Sequence, residues 1–278
     1  MVKTWLPGPV DLAVARSDNV WMSSERPEVG ERLQKALGLM RGASRIVVLS
    51  GAGISTDSGI PDFRGPQGLW RADPEAEKTS SLSHYLGDEE VRRRSWRQRL
   101  ESPAWHAVPN AGHRALVELE RQGRLVALVT QNIDGLHQKA GNSPEAVLEL
   151  HGTMHLARCW SCGWQGPMEP VLTRVRAGEP DPRCELCSGI LKSATISFGQ
   201  ALDPDTVAKA TKAVRSAEVI LAVGTTLSVY PAASLVPLAR SCGAKVVILN
   251  GEPTAMDRLA DALVLAPISE ALPVLVSL

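Results

Sequence analysis

Six short, almost wholly apolar runs limit what this 278-residue chain can become. Ile46–Leu49, Leu125–Val129, Val147–Leu150, Val219–Val223, Val246–Leu249 and Ala262–Leu265 are too short for helices and too apolar to face water on either side. Runs of that kind are strands buried on both faces, the habit of parallel sheets. Helical patterns lie between several of them. Val29, Leu33, Ala36, Leu37 and Met40 recur at helical spacing, with Gly42 where a C-cap belongs. Ala111, Ala115, Leu116 and Leu119 form another pattern. Val207, Ala210 and Val214 form a third, opened by Asp203 as N-cap and Pro204 in the first turn, and residues 231–241 a fourth. The alternation predicts an α/β fold, a mostly parallel sheet with helices on both faces.

The residues just beyond each run bear on function. Ser50-Gly51-Ala52-Gly53-Ile54-Ser55 comes after the first, and Gln131-Asn132-Ile133-Asp134 after the second. His151, Gly224-Thr225-Thr226 and Asn250-Gly251 come after the next three. Alone, each cluster reads as a plain turn. Five at equivalent places read as one ligand crevice, because the carboxyl ends of parallel strands line the binding edge of such sheets. Glycines there allow positive φ and close approach of backbone N–H groups to phosphate. The spacing departs from Gly-x-Gly-x-x-Gly, so a hydride-transfer dehydrogenase is not supported.

Two segments break the rhythm. Residues 65–104 are polar and arginine-rich, and residues 152–194 hold two Cys-x-x-Cys pairs. Cys159, Cys162, Cys184 and Cys187, with 21 residues between the pairs, fit a four-thiolate zinc site. Four thiolates leave no open position, so the zinc is expected to be structural. Four unconnected buried cysteines are the competing account. Trp160 and Trp164 are expected to pack on the knuckles, and Cys242 to be a buried core thiol. His155, near Cys159, reads as structural or surface; His84, His106, His113 and His137 carry no special context.

Lys plus Arg and Asp plus Glu each total 30, so net charge is zero. That balance argues against a nucleic-acid-binding zinc module and against an anionic-membrane binder. The N-terminus lacks the apolar run of a signal peptide, and no stretch approaches the roughly 20 apolar residues of a membrane span. Paired cysteines in a metal pattern fit a reducing compartment, so the expected location is the cytoplasm.

Gly51-Ala-Gly-Ile-Ser-Thr-Asp-Ser-Gly-Ile-Pro-Asp-Phe-Arg64, Thr130-Gln-Asn-Ile-Asp134, His151-Gly152, the cysteine pairs and Gly224-Thr-Thr-Leu227 resemble, in order, the motifs of the sirtuins. Those of bacterial type are NAD-dependent protein-lysine deacylases, and the similarity spans about residues 30–266. The resemblance implies a Rossmann-like domain from residues 29–64, 105–151 and 195–278. It also implies a small domain from a helical insertion (65–104) and a zinc ribbon (152–194). Residues 1–28 stand outside as an N-terminal extension.

The resemblance further implies NAD as co-substrate, one structural zinc, and acylated-lysine proteins or peptides as partners. Gly51, Ala52, Gly53, Asp62, Arg64, Gln131 and Thr226 would contact NAD, with Ala52, Gly53 and Arg64 on its phosphates. Gly224, Thr225, Ser228 and Asn250 would hold the adenosine half, and Ile60 and Asp134 the nicotinamide carboxamide. Phe63 would shield the ribose C1′ from water. Asn132 would orient the ribose or a water, and His151 would be the general base. Ile133, Ile196, Phe198 and Gly199 would hold the substrate peptide. Products would be lysine, nicotinamide and 2′-O-acyl-ADP-ribose. Asn132 and His151 serve acyl transfer, which favours deacetylation over the alternative, mono-ADP-ribosyl transfer.

The chain departs from the family in three places. Thr226 stands where a serine is common, and Ile196-Ser197-Phe198-Gly199-Gln200 replaces a segment usually ending in Glu. No Tyr-x-x-Arg pair for an acidic acyl group is evident around residues 92–99, so an uncharged acyl group is expected. Arg92-Arg93-Arg94 reads as a solvated helix face, with anion binding as the other account.

Overall fold

The computed structural model describes residues 27–62 and 76–277. Phe63, Arg64 and the extension up to residue 26 lie outside the described residues. In chain order the main elements begin with α1 (Pro27–Arg41), β1 (Ile46–Ser50), α2 (Leu82–Gly87), α3 (Glu89–Leu100) and α4 (Ala111–Arg121). Next come β2 (Leu125–Thr130), α5 (Leu136–Ala140), β3 (Val147–Glu149), β4 (Gly152–Cys159), β5 (Gln165–Pro167), α6 (Met168–Arg176) and β6 (Leu191–Thr195). Last are α7 (Pro204–Ser216), β7 (Val219–Val223), α8 (Leu235–Ser241), β8 (Lys245–Asn250), β9 (Ala262–Leu265) and α9 (Ile268–Val276).

All six apolar runs become strands of one parallel sheet, ordered β3-β2-β1-β7-β8-β9. β1 shows why its sequence is apolar throughout. Successive strand side chains point to opposite faces. Ile46 and Val48 pack in the layer that includes residues of α1, α4 and α9, and Val47 and Leu49 in the layer of α7 and α8. All four are 0% exposed, and each burial stabilises the fold by roughly 1.5–3 kcal/mol. Helix starts follow local chemistry. The Asp203 carboxylate accepts the Thr206 amide at 2.8 Å ahead of Pro204, and Asn110 and His113 form a reciprocal capping box on α4.

The two irregular segments pack together. β5-β4-β6 make a small antiparallel sheet, and α3 and α6 cover its core of Trp96, Ala157, Met168, Val171, Leu172 and Leu191. The arginine run is not one solvated face. Arg92 is 5% exposed and donates from Nε to Asp181 at 2.9 Å, while Arg93 pairs with Glu89 and Glu90 on its own helix. Helical geometry sends neighbouring residues to different sides, which a charge count cannot resolve. Cys242 is exposed at the end of α8 instead of being in the core. Trp164 packs against Gly166, whereas Trp160 is 44% exposed. Among the described residues no helix is long and apolar enough to cross a membrane.

Arg92→Met should lower unfolding stability by at least about 2 kcal/mol, since it leaves the buried Asp181 carboxylate with the more exposed Arg183 alone. Arg93→Met should cost less than about 1 kcal/mol, as exposed pairs do. Denaturant melts of the two variants check this ordering; equal losses would contradict it.

Candidate functional site

β1 lies between β2 and β7, and the sheet grows outward from it in both directions. The crevice beyond β1 and β7 is thus the switch point where open α/β sheets bind ligands. Two turns interlock there. The Gly51 amide donates to Val223 O at 3.0 Å and the Gly53 amide to Gly224 O at 2.8 Å. A Cβ on Gly53 would stand 2.8 Å from the Gly224 Cα, and one on Gly224 would stand 2.4 Å from the Ile54 nitrogen. Gly224 also has φ of +62°. These glycines therefore serve turn-to-turn contact, and the Gly51 and Gly53 amides are engaged by protein carbonyls. Gln131 ties in the third turn, donating from Nε2 to Thr225 Oγ1 at 2.9 Å.

Beyond these turns lies a groove of about 910 Å³. It is lined by the turn residues Gly51, Ala52 and Gly53, and by Ile60 and Asp62 beyond them. Gln131, Asn132, Ile133, Asp134 and His151 line it from the β2 and β3 side. Gly224, Thr225, Thr226 and Asn250 do so from β7 and β8, and Ile196, Phe198 and Gly199 from the segment after β6. Ser228 does not. It is exposed, and its hydroxyl pairs with Thr226 Oγ1 at 2.7 Å. Leu227 before it is at φ +54° and 1% exposed, and the chain lines the groove again from Val229 to Pro231.

His151 is half-buried, with Nδ1 3.0 Å from the Gln131 carbonyl oxygen. A carbonyl only accepts, so Nδ1 carries the proton and Nε2 is left with a lone pair. Burial holds the imidazole below its ordinary value of 6.5, against the upward pull of that hydrogen bond. It is therefore neutral at pH 7. The His151 carbonyl accepts the Ile196 amide at 2.8 Å, joining His151 to the segment after β6.

Beneath the groove runs a buried polar layer that sequence reading missed. Ser55 Oγ donates to Asp134 Oδ2 at 2.7 Å and accepts Asn132 Nδ2 at 3.2 Å. Asn132 Nδ2 also reaches Gly51 O at 3.2 Å. His113 accepts the Asn110 amide at Nδ1, which turns its Nε2–H toward Ser55 Oγ at 3.5 Å. His137 Nε2 lies 2.9 Å from Ser50 Oγ, and its Nδ1 has no partner among the described residues. Burial lowers His113 to about 4; burial, then the nearby His113, lowers His137 to about 3. His113 stands in a capping box and His137 three residues after Asp134, the only local signals available. His155 is structural: it donates from Nε2 to Asp134 O at 2.9 Å and packs edge-on against Trp105.

The cysteines lie apart from the groove. Their four sulfurs are all within 4.8 Å of one another, with Cys159–Cys187 at 3.5 Å and Cys162–Cys184 at 3.8 Å. Zn–S bonds of about 2.3 Å set a tetrahedral edge of about 3.8 Å, so the cluster fits zinc. Burial raises the Cys159 thiol, but amide donors from Cys162 and Ser161 outweigh it and bring it to about 6.

The Sir2 family model matches residues 51–231. An "NAD-dependent protein deacetylase 2" of Streptomyces coelicolor is 54% identical over 236 residues, covering 85% of this chain and 98% of that one. An "NAD-dependent protein deacetylase" of Rhodopseudomonas palustris is 38% identical over 248 residues, covering 88% and 96%. Among solved structures, one described as "Structural Basis for the Mechanism and Regulation of Sir2 Enzymes" superposes with TM-score 0.81 at 38% identity, covering 88% and 96%. A Sir2–p53 peptide–NAD+ complex does so at 0.76 and 32%, covering 86% and 95%.

Removing zinc with a chelator, or substituting Cys159→Ala, should unfold the β4–β6 module and lower solubility, read by metal content and circular dichroism. A folded, fully active, metal-free protein would defeat the structural assignment. The two buried histidines set a second expectation. Unfolded, each takes a proton near pH 6.5; folded, they resist it to about 4 and about 3. Stability is thus intact above pH 6.5 and lost as pH falls below it, by up to about 1.4 kcal/mol per pH unit for each histidine. His137→Phe should flatten the fall in melting temperature between pH 7 and 5, and an unchanged slope would contradict this.

Proposed function

The chain belongs to the Sir2 family, and we infer that it is an NAD-dependent protein-lysine deacetylase whose general base is His151. The observation that carries the base assignment is the Nδ1–H bond to the Gln131 carbonyl, which leaves Nε2 unprotonated in a groove shared with the turns of β1 and β7. NAD is a substrate here, consumed in each turnover.

Ala52, Gly53, Asp62 and Gln131 receive the phosphate and ribose side of NAD, and Gly224, Thr225, Thr226 and Asn250 the adenosine half. Asp134 and Ile60 hold the carboxamide of nicotinamide. The Asp134 carboxylate already accepts Ser55 Oγ and the Leu136 amide, which leaves two of its roughly four acceptor positions for a ligand. Ile133, Ile196, Phe198 and Gly199 hold the peptide as an added strand. The acyl-lysine oxygen attacks the ribose C1′ as nicotinamide leaves with the bonding pair. The ribose 2′-hydroxyl then adds to the acyl carbon, and His151 Nε2 takes its proton. Asn132, fixed by Gly51 and Ser55, orients the ribose or a water. Lysine leaves protonated, and one water restores the acyl carbonyl of 2′-O-acyl-ADP-ribose. The shield that the family resemblance assigns to Phe63, and the phosphate contact of Arg64, fall outside the described residues.

Residues 76–104 with 152–194 form the small domain that walls one side of the groove. The compartment we propose is the cytoplasm, where thiols stay reduced for metal. Partners are acylated proteins, with no nucleic acid and no membrane. No observation favours ADP-ribosyl transfer to protein over deacetylation.

Wild-type protein should release nicotinamide in proportion to deacetylated peptide. His151→Ala should cut turnover about 10²–10⁴-fold while ADP-ribose still binds. The rate should fall with acid through a midpoint below pH 6.5, because protonated Nε2 cannot accept. A His151→Ala variant with most of its turnover intact would remove the base assignment.

A further inference from the structure

The segment after β6, assigned above to the peptide, ends in a tight turn. Gln200 closes it, donating its backbone amide to Ser197 O at 3.0 Å, with Gly199 at φ +82° in the third place of the turn. The Gln200 side chain folds back on the same turn, and its Oε1 accepts the Ser197 amide at 3.2 Å. A backbone N–H only donates, so the carboxamide oxygen must face Ser197 and the –NH2 is left over. That –NH2 has no partner among the described residues, and the half-buried Gln200 lines the groove. The residue also stands where the resemblance in sequence puts Glu.

The neighbours of Gln200 in the lining are uncharged: Phe198 and Leu202 on its own segment, and Val229, Tyr230 and Pro231 after β7. The carboxylates that line the groove, Asp57, Asp62, Glu101, Asp134 and Glu252, come from other segments. Asp203, beyond Leu202, is spent on α7, where its carboxylate accepts the Thr206 hydroxyl at 2.7 Å and the Thr206 amide at 2.8 Å. Those hydrogen bonds, then the charges of Lys209 and Arg158, hold its carboxyl below the usual value, so both cations stand close to it. Neither cation has a hydrogen-bonded carboxylate partner among the described residues. A carboxylate on the peptide finds a donor in the Gln200 –NH2 and a favourable field from Lys209 and Arg158. A lysine or arginine on the peptide finds no acceptor in that –NH2. A glutamate at position 200 would keep the bond to Ser197 through one oxygen and turn the other, with its charge, to the peptide.

We propose that Gln200 sets sequence preference, favouring acyl-lysines that have an aspartate or glutamate within two residues along the peptide. The proposal rests on the deacylase reading above. In an added strand, neighbouring residues face opposite ways and alternate ones share a face, so two residues is the reach within which a flanking side chain meets the turn. The acidic side chain lies against the Gln200 –NH2 while the acyl-lysine points toward His151. It takes no part in bond making or breaking, so the preference appears in KM rather than in kcat.

Acetyl-lysine peptides that carry Asp, Asn or Lys in turn at each flanking position, each with NAD, test the idea by mass spectrometry of the deacetylated product. At one position Asp should exceed its uncharged isostere Asn by about threefold or more in kcat/KM, with Lys the poorest, as one partly exposed charged hydrogen bond implies. Added salt should shrink that advantage, because exposed charges are screened. These wild-type comparisons require no variant to fold. Gln200→Glu, nearly identical in size, should lower the Asp-to-Lys ratio of kcat/KM at that position by about fivefold or more, mainly through KM. No position with an Asp advantage, an advantage indifferent to salt, or an unchanged ratio in Gln200→Glu would overturn the assignment. Turnover of none of the peptides would instead count against the deacylase reading.

Discussion

The contact of Gly51 and Gly53 with Gly224 holds the site together. It joins the turns of β1 and β7, the neighbours from which the sheet grows in opposite directions. Backbone meets backbone there with no room for a Cβ, so the floor of the groove is set by main-chain hydrogen bonds rather than by side chains that rotate. Gln131 extends the same framework through its bond to Thr225, and its carbonyl then fixes the tautomer of His151. One tight crossing thus settles which nitrogen of His151 is protonated, through two intermediaries.

Under that floor the protein keeps its polar groups dry and mostly uncharged. His113 and His137 are neutral at physiological pH because burial disfavours their charged forms. Ser50, Ser55 and Thr130 relay hydrogen bonds among them without adding charge. Asp134 is the anionic member, aligned by a serine hydroxyl and a backbone amide. A layer of this kind resists rearrangement, since moving any member strands a buried donor or acceptor.

Much of this was legible in the residues. Strands buried on both faces need continuous apolar runs, and each of the six appears within about one residue of where the pattern puts it. The cysteine pairs carry their meaning in their spacing. Other features depend on three-dimensional packing and leave little local trace. Arg92 sits in a charged run yet is buried, because Asp181 arrives from a segment far along the chain. Gly51 and Gly53 look like phosphate-binding glycines, while the reason for their small size is Gly224, remote in sequence. Ser228 follows the Gly224–Leu227 motif, yet its hydroxyl is spent on Thr226 Oγ1 while Val229 and Tyr230 line the groove.

Gly152 follows His151 and opens β4, with φ of +69° and a position where a Cβ would stand 2.0 Å from the Ala194 oxygen. His151 therefore stands at the junction of the two sheets, between the end of β3 and the start of β4. Its backbone is gripped from one flank by the large sheet, where the Leu150 amide meets Thr130, and from the other by the metal-bearing ribbon. β4 begins at Gly152 beside His151 and ends at Cys159 in the cysteine cluster, so a single strand ties the groove to the ribbon's metal-fitting end.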